Sequence, residues 1–323
     1  KPVRAVIVNS GNANCATGEQ GVRDDLAFAA AAAVALGLAG PDEVVSARTG
    51  VIGHKLPLDP LVAAMPQLAA ERSESVEGFA RAILTTDLTE KVAAAEVRGG
   101  ARVLGVAKGS GMIHPNMATM FGFLMTDALI DQATLRAAWQ RVVDRTFNQL
   151  TVDGDTSTND MAVVLASNLV PADAYELELA LTEVATELAK HIARDGEGAT
   201  KLITVRVRGA LTDVEARRAA RTVAGSSLVK TAVHGADPNW GRILAAAGRA
   251  DVALYMARAA VFAQGTALYR GAPLAYDARA VSHALREPDV LLEVDLGVGS
   301  AEGTAWGCDL TEGYVRINAD YTT

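Results

Sequence analysis

Short runs of β-branched and apolar residues alternate with helical patterns along nearly the whole chain. The runs have the length of buried strands, and the stretches between them have apolar residues at helical spacing. Strands are predicted at 5–8, 43–48, 101–107, 120–126, 161–166, 202–209, 288–296 and 313–318. Helices are predicted at 26–40, 57–71, 74–85, 131–150 and 172–194. Because no fixed-period repeat or Ser/Pro-rich linker interrupts this alternation, it predicts a layered α/β fold without a clear domain boundary.

The composition excludes nucleic acid as a partner. The 323 residues are 50% hydrophobic, which is enough for a large core, and the formal charge is −8. Acidic and basic residues are interspersed, so the chain has no basic stripe of the kind that binds a phosphate backbone.

The alanine-rich run at 26–40 is too short to span a membrane, which takes about 20 apolar residues. A buried helix is the better interpretation. The two cysteines, Cys15 and Cys308, lie far apart and no signal peptide is visible, so a reducing cytoplasm is favoured. The chain opens on KPVRAVIVNS, without Met and with a strand almost at once, and we expect further residues before it.

Metal sites are not indicated. The five histidines form no H-E-x-x-H motif and pair with no C-x-x-C motif, which argues against zinc. VDGDTSTND (152–160) resembles the start of a calcium loop, but Thr158 and Val164 replace the glycine and glutamate that an EF-hand needs. The simpler interpretation is a loop whose Asp and Thr side chains bond to its own backbone.

Two common catalytic loops are also missing. NSGNANCATG (9–18) is a tight loop that lacks the phosphate-loop ending and the dinucleotide-fold glycine spacing. Gly109-Ser110-Gly111 lacks the spacing of a nucleophile elbow, so a serine triad has no support.

A threonine in KGSGMIHPNMATMFGF (108–123) is the best nucleophile candidate. Thr119 stands where a glycine-containing loop becomes a strand. A hydroxyl needs an adjacent base, and the residue's own α-amine supplies one if the chain is cut before it. Attack of Thr119 on the Ala118 carbonyl, followed by hydrolysis of the ester, would make that cut. By itself the sequence favours the simpler interpretation, a strand threonine with a solvated hydroxyl.

Eight motifs in this order resemble the ornithine acetyltransferase family, the glutamate N-acetyltransferases of the cyclic arginine pathway. They are NSGNAN (9–14), TGVIG (49–53), ILTTD (83–87), KGSGMIHPNMATM (108–120), FNQLTVDGDTSTND (147–160), DGEGATK (195–201), KTAVHGADPNWGR (230–242) and GCDLTEGYVRINADYTT (307–323). The region 251–290 carries no recognisable motif, and His234 and Trp240 are interpreted as a packed turn without a catalytic role.

The resemblance implies an α/β fold, an α+β layered sandwich of the ornithine acetyltransferase or DmpA-like type. It implies transfer of an acetyl group from N2-acetylornithine to glutamate through an acetyl-Thr119 intermediate, with acetyl-CoA as a further donor in some members. It also implies self-cleavage into an α-chain part, 1–118, and a β-chain part, 119–323, which form one catalytic unit and assemble as α2β2. No metal or cofactor is implied.

The resemblance also implies roles for particular residues. The cleaved bond is Ala118–Thr119, and Thr49 and Gly50 form the oxyanion hole. Substrate contacts are expected from Thr85 (with Thr86 as the alternative), Lys108, Thr119, Glu197, Asn318 and Thr323. A cationic Lys108 suits the α-carboxylate of both substrates, and Glu197 suits the ornithine ammonium. Without the resemblance, Lys108 would be interpreted as a solvated loop lysine and Glu197 as an exposed acid at a helix end.

Three other functions share some of these motifs. A self-cleaving N-terminal-nucleophile aminopeptidase or amidohydrolase would pass the acyl group to water. A related acetyltransferase of secondary metabolism would use another acceptor. An uncut scaffold or partner-binding protein would have no activity.

Overall fold

The computed structural model describes residues 2–114 and 120–320. The strands are β1 (Ala5–Asn12), β2 (Val44–Val51), β3 (Lys91–Glu96), β4 (Arg102–Lys108), β5 (Phe121–Leu129), β6 (Met161–Pro171), β7 (Leu202–Ala210), β8 (Ala260–Ala263), β9 (Thr266–Arg270), β10 (Asp289–Asp295) and β11 (Ala301–Cys308). The helices are α1 (Gly18–Leu36), α2 (Leu58–Ala70), α3 (Glu77–Ala82), α4 (Gln132–Arg145), α5 (Ala174–Arg194), α6 (Asp213–Ala224), α7 (Ser227–His234), α8 (Trp240–Gly248), α9 (Ala278–Ala284) and α10 (Glu312–Asp320).

The described strands form three sheets, and the mixed α/β class is confirmed. Strands β1 and β2 are a parallel pair, β3-β4-β5-β6 form a second sheet, and β11-β7-β10-β8-β9 form a third. In the second sheet β5 and β6 are parallel, with Phe121 opposite Met161, whereas the other neighbours are antiparallel. This register fixes which residues meet where β5 and β6 begin.

Helix α5 packs between the second and third sheets. Asp173 caps the N-terminus of this helix, because its carboxylate accepts hydrogen bonds from the backbone N–H groups of Tyr175 and Glu176. One face of the helix is fully buried and carries Leu177, Leu181, Val184 and Leu188. Burying each such side chain stabilises the folded state by about 1.5–3 kcal/mol. The close approach requires Gly105 on β4, because a Cβ there would lie 2.6 Å from Val184 and 2.7 Å from Leu188.

Helix α1, the alanine-rich segment, buries one face rather than the whole helix. Phe28, Ala32 and Ala33 pack in a small core with β2 and α2, whereas Val34 is 81% exposed. In the part of the chain that the structure describes, no helix combines the length and the apolar character that crossing a membrane takes.

Three local predictions were wrong or incomplete. The segment predicted as a strand at 313–318 lies in helix α10 and belongs to none of the sheets in the described part of the chain. Thr49 and Gly50 lie within β2, opposite Ser10 and Gly11, rather than at a turn. Residues 91–96 and 251–287, for which no helix or strand was predicted, contain β3 and the elements β8, β9 and α9.

Candidate functional site

The ends of several elements converge on one cavity between the second sheet and its neighbours. Strand β2 contributes Thr49 and Gly50, and β4 ends there at Lys108. The remaining wall comes from the turn at 85–86, the loop at 157–160, the loop after α5, and α10.

Most residues expected to bind substrate line this cavity. The described members are Thr49, Gly50, Thr85, Lys108, Glu197 and Asn318, and Thr86 also lines it. Ala118, Thr119 and Thr323 lie outside the described residues. Met120, which directly follows Thr119 in the chain, is part of the lining. Residues more than 250 positions apart in sequence therefore meet around one space.

Lys108 is buried at the end of β4, so it is not a solvated loop lysine. Its Nζ donates to Thr49 Oγ1 at 3.0 Å and to Thr85 Oγ1 at 2.8 Å, and lies 3.8 Å from Asp87. Burial lowers the pKa of Lys108, and the negative charge of Asp87 opposes that effect. The lysine thus presents a positioned donor to an anionic substrate group.

An ion network behind Lys108 was missed in the sequence. The fully buried Lys91 bridges Asp87 Oδ1 at 2.8 Å and Asp195 Oδ2 at 2.6 Å. Asp87 also accepts from the backbone N–H of Gly109 at 2.6 Å. Burial alone would raise the pKa of Asp87, but Lys108 and Lys91 outweigh it and lower that pKa. Both carboxylates stand in recognised motifs, ILTTD and DGEGATK, whereas Lys91 gave no signal.

Gly50 is needed because the backbone of β1 lies against it. Its φ is +126°, and a Cβ would overlap the backbone of Gly11. The Thr49-Gly50 pair is therefore held at the carboxyl end of β2, on the cavity wall. This is a suitable place for oxyanion donors, and their role remains a prediction.

Glu197 is buried and hydrogen-bonded to the last helix. Its Oε2 accepts from Asn318 Nδ2 at 2.8 Å, and Gly111 packs so closely that a Cβ there would overlap the carboxylate. Helix α10 is anchored by Thr311, whose Oγ1 donates to the Gly198 carbonyl at 2.6 Å. The C-terminal segment therefore reaches the cavity as a helix and not as the tail of a strand.

The loop at 152–160 supports the segment that precedes the expected cleavage site. The Asp153 carboxylate accepts from the N–H groups of Met112 at 2.6 Å and Ile113 at 2.9 Å. Thr156 Oγ1 donates to the His114 carbonyl at 3.0 Å. Three bonds stay within the loop: Asp155 N–H donates to Asp153, Asn159 N–H donates to Ser157 Oγ, and Thr158 Oγ1 donates to Asn159 Oδ1. The loop's side chains thus hold both the loop itself and a neighbouring segment, which the simpler interpretation of the sequence did not include.

Asp160 is a cavity residue that sequence reasoning missed. Its Oδ2 is shielded from solvent and has no hydrogen-bond partner among the residues that the structure describes. Burial raises the pKa of this carboxyl to about 8, although Lys108 opposes the shift. The available signal was its position as the last residue of the FNQLTVDGDTSTND motif.

His234 and Trp240 do not line the cavity. His234 ends α7 and its Nδ1 lies 2.9 Å from Asp309 Oδ2, while Trp240 begins α8 and stacks on Tyr269 with ring centroids 5.0 Å apart. Among the residues described, no group of three His, Cys, Asp or Glu side chains is arranged to hold a metal ion.

Comparison with known proteins places the chain in a family. A sequence model of the ArgJ family matches residues 1–323. The arginine biosynthesis bifunctional protein ArgJ of Thermus thermophilus is 57% identical over all of this chain and 84% of its own length. That of Deinococcus radiodurans is 53% identical over all of this chain and 83% of its own length. The crystal structure of the Bacillus halodurans arginine biosynthesis bifunctional protein ArgJ is 44% identical, with a TM-score of 0.61, over 63% of this chain and 100% of its own. The chain therefore belongs to the ArgJ family.

Proposed function

We propose that this chain cleaves its own Ala118–Thr119 bond and then carries acetyl groups from N2-acetylornithine to glutamate on the Thr119 hydroxyl. As a member of the ArgJ family it is an acyltransferase of arginine biosynthesis. One observation supports the assignment of residues above all others: every described residue expected to bind substrate lines a single cavity, together with Met120.

The transfer needs a nucleophile, a base and a site for negative charge. Thr119 Oγ attacks the acetamide carbonyl, and the α-amine freed by cleavage takes the hydroxyl proton. Donors at Thr49 and Gly50 stabilise the tetrahedral oxyanion, an effect worth about 3–4 kcal/mol per donor in comparable sites. Ornithine leaves, and the amine of glutamate attacks the acetyl ester in the same way.

The charges of the cavity suit amino-acid substrates. Lys108 Nζ, already aligned by Thr49 and Thr85, pairs with the α-carboxylate that both substrates carry. Glu197, held by Asn318, accepts the side-chain ammonium of ornithine. Thr323 is proposed as a further contact.

Two observations support self-cleavage. The segment before the bond is fixed by Asp153 and by the bond from Val152 N–H to the Ile113 carbonyl, at 2.7 Å. Residues 119–323 also make up about 63% of the chain, which is the share that the solved Bacillus halodurans chain covers. The 1–118 and 119–323 parts together form the catalytic unit, because Thr49 and Lys108 come from one part and Glu197 and Asn318 from the other.

The remaining features follow from the family assignment. We propose an α2β2 assembly and a cytoplasmic location, with acetyl-CoA as a possible second acetyl donor. An aminopeptidase or amidohydrolase with the same nucleophile would release the acetyl group to water, and an enzyme of secondary metabolism would prefer another acceptor.

Mass spectrometry and single-turnover kinetics test the proposal. The purified protein should give two fragments that meet at Ala118–Thr119, and Thr119→Ala should remain one chain. With N2-acetylornithine alone, the fragment starting at Thr119 should gain one acetyl group, which glutamate then removes much faster than water. An intact chain that still transfers acetyl groups would refute self-cleavage, and glutamate-independent release would favour the hydrolase.

A further inference from the structure

Acetyl transfer between two amino acids moves more protons than the α-amine of Thr119 can carry. Glutamate enters with a positively charged α-ammonium group and must lose one proton before its nitrogen can attack. It loses a second proton as the new amide forms. The Thr119 amine handles one of these protons by returning it to the Thr119 hydroxyl, and the other needs a separate carrier.

Asp160 stands where such a carrier is required. The backbone N–H of Met161 donates to the Met120 carbonyl at 2.9 Å, and Phe121 pairs with Met161 in the parallel register of β5 and β6. Asp160 is thus opposite Met120, the residue that directly follows Thr119 in the chain. Its carboxyl faces the cavity that Thr49, Gly50 and Lys108 also line.

The surroundings leave this carboxyl free to exchange a proton. Its Oδ2 is shielded from solvent, and no hydrogen-bond partner for it occurs within 2–114 and 120–320. The charged groups facing it are Lys108 at the end of β4, with Asp87 behind it, and Glu197 in the loop after α5. The cavity residues in and just after β1 and β2 are uncharged, and they include Thr49, Gly50 and Ala13, whose carbonyl accepts from Asn159 Nδ2 at 2.7 Å. Cleavage would add the Thr119 amine to this set.

We propose that Asp160 is the second proton carrier of the reaction: its carboxylic acid protonates the departing amine of ornithine, and the resulting carboxylate deprotonates the incoming ammonium of glutamate. This inference rests on the proposed function of the cavity and adds a catalytic residue to it.

The protons balance over one turnover. In the first half, a bond forms between Thr119 Oγ and the acetyl carbon and the C–N bond of the acetamide breaks. The Thr119 hydroxyl proton passes through the α-amine to the leaving nitrogen, and Asp160 supplies the proton that makes it an ammonium. In the second half, Asp160 takes one proton from the glutamate ammonium. The new C–N bond then forms, the ester C–O bond to Thr119 breaks, and the second proton passes through the α-amine back to Thr119 Oγ. The free enzyme is restored with Asp160 protonated.

The environment of Asp160 suits both halves. Burial raises the pKa of its carboxyl to about 8, so the group is mostly protonated in the resting enzyme at neutral pH yet can act as a base. Glu197 accepts a hydrogen bond from Asn318, and Asp87 accepts hydrogen bonds from Lys91 Nζ and from the Gly109 N–H. Among the described carboxyls of the cavity, Asp160 is the one with a solvent-shielded oxygen that has no hydrogen-bond partner in the described part of the chain.

Two acceptors of the acetyl group separate this role from others. Glutamate is an ammonium ion and needs Asp160 to remove a proton before attack, whereas an acceptor with a neutral nitrogen does not. Cleaved wild-type enzyme and the Asp160→Asn variant are loaded with acetyl groups from N2-acetylornithine and freed of ornithine. Each is then mixed with glutamate or with hydroxylamine, whose nitrogen is already neutral at pH 7. We expect Asp160→Asn to slow deacetylation by glutamate about 100-fold or more, the usual range for a lost general base, and to leave deacetylation by hydroxylamine unchanged.

Controls separate this role from a structural one. Asp155→Asn removes an exposed carboxyl of the same loop and should change neither rate. Asp160→Glu keeps a titratable group and should recover part of the glutamate rate with a shifted pH profile. Both acceptors need a neutral Thr119 α-amine, and glutamate also needs the Asp160 carboxylate. In the wild type, deacetylation by glutamate should therefore rise more steeply with pH up to about 8 than deacetylation by hydroxylamine.

The possible failures are distinguishable. If Asp160→Asn slows both acceptors equally, or neither, Asp160 is not the carrier. If the Asp160→Asn variant does not cleave itself, the pH profiles of wild-type deacetylation by glutamate and by hydroxylamine test the inference instead. Profiles of the same shape would refute it. If the wild type never forms an acetyl-Thr119 species, the proposed function itself fails.

Discussion

Asn318 Nδ2 donates a hydrogen bond of 2.8 Å to Glu197 Oε2, so the last helix of the chain holds an acid that belongs to a loop 121 residues earlier. Glu197 is buried, and the backbone of Gly111 closes its other side. The orientation of this carboxylate therefore depends on two distant segments, and its ability to bind an ammonium group depends on that orientation.

Replacing Asn318 by alanine should weaken the binding of N2-acetylornithine. A hydrogen bond to a charged group contributes about 1.5–3 kcal/mol, so KM should rise roughly 10- to 100-fold. Steady-state kinetics measure the effect. Val315→Ala, at a 65% exposed position of the same helix, is the matched control and should leave KM unchanged. An unchanged KM in Asn318→Ala would show that Glu197 needs no help from α10.

Replacing Gly111 by alanine should displace the Glu197 carboxylate, because the new Cβ would overlap it. A displacement of about 1 Å at such a site costs about 100-fold in kcat/KM. Gly78→Ala is the control: a Cβ at that helical position meets no atom within 4 Å and should leave activity intact. Full activity of Gly111→Ala would contradict the placement of Glu197 in the substrate site.

Lys91→Met should destabilise the protein at pH 7. The change leaves Asp87 and Asp195 buried without their shared cation, which costs about 3–5 kcal/mol. Urea unfolding at a fixed protein concentration measures it. Arg98→Met removes an ion pair whose arginine is 86% exposed, and it should cost less than about 1 kcal/mol. Similar losses in both variants would mean that the buried network does not stabilise the fold.

The pH dependence of stability should report the titration of Asp160 independently of activity. Its pKa is about 8 in the folded protein, against an ordinary value of 3.8 in the unfolded chain. Between these values the folded state binds more protons than the unfolded state, so this residue makes stability fall as pH rises and then level off above about pH 8. Asp160→Asn removes the contribution, so its stability relative to wild type should increase across this window. A difference that is flat with pH would contradict the raised pKa.

Asp153→Ala should slow cleavage at Ala118–Thr119, because it frees the N–H groups of Met112 and Ile113 just upstream of the bond. The fraction of uncut chain, followed by intact mass over time, should be larger than in the wild type. Asp155→Ala, in the same loop but exposed, should be cut at the wild-type rate. Equal cleavage rates in all three proteins would show that the loop does not prepare the bond.

The amino-acid sequence by itself determined the layered α/β class, most strands and helices of the first 210 residues, and the motif residues of the cavity. Local periodicity predicted α5 and β7 because their apolar faces are continuous and their ends carry breaking residues. The motifs identified Thr49, Lys108, Glu197 and Asn318 although nothing in their spacing shows that they meet.

The tertiary structure decided what depends on a partner elsewhere in the chain. The segment predicted as a strand at 313–318 forms a helix, which brings Asn318 to Glu197. Lys91 carries no signal in the sequence, and only the approach of Asp87 and Asp195 from two other segments allows it to be buried. Asp160 is one of several polar residues in its loop, and only the pairing of β5 with β6 sets it opposite Met120. Burial and charge are sums over neighbours that are distant in sequence, and for that reason no local pattern could supply them.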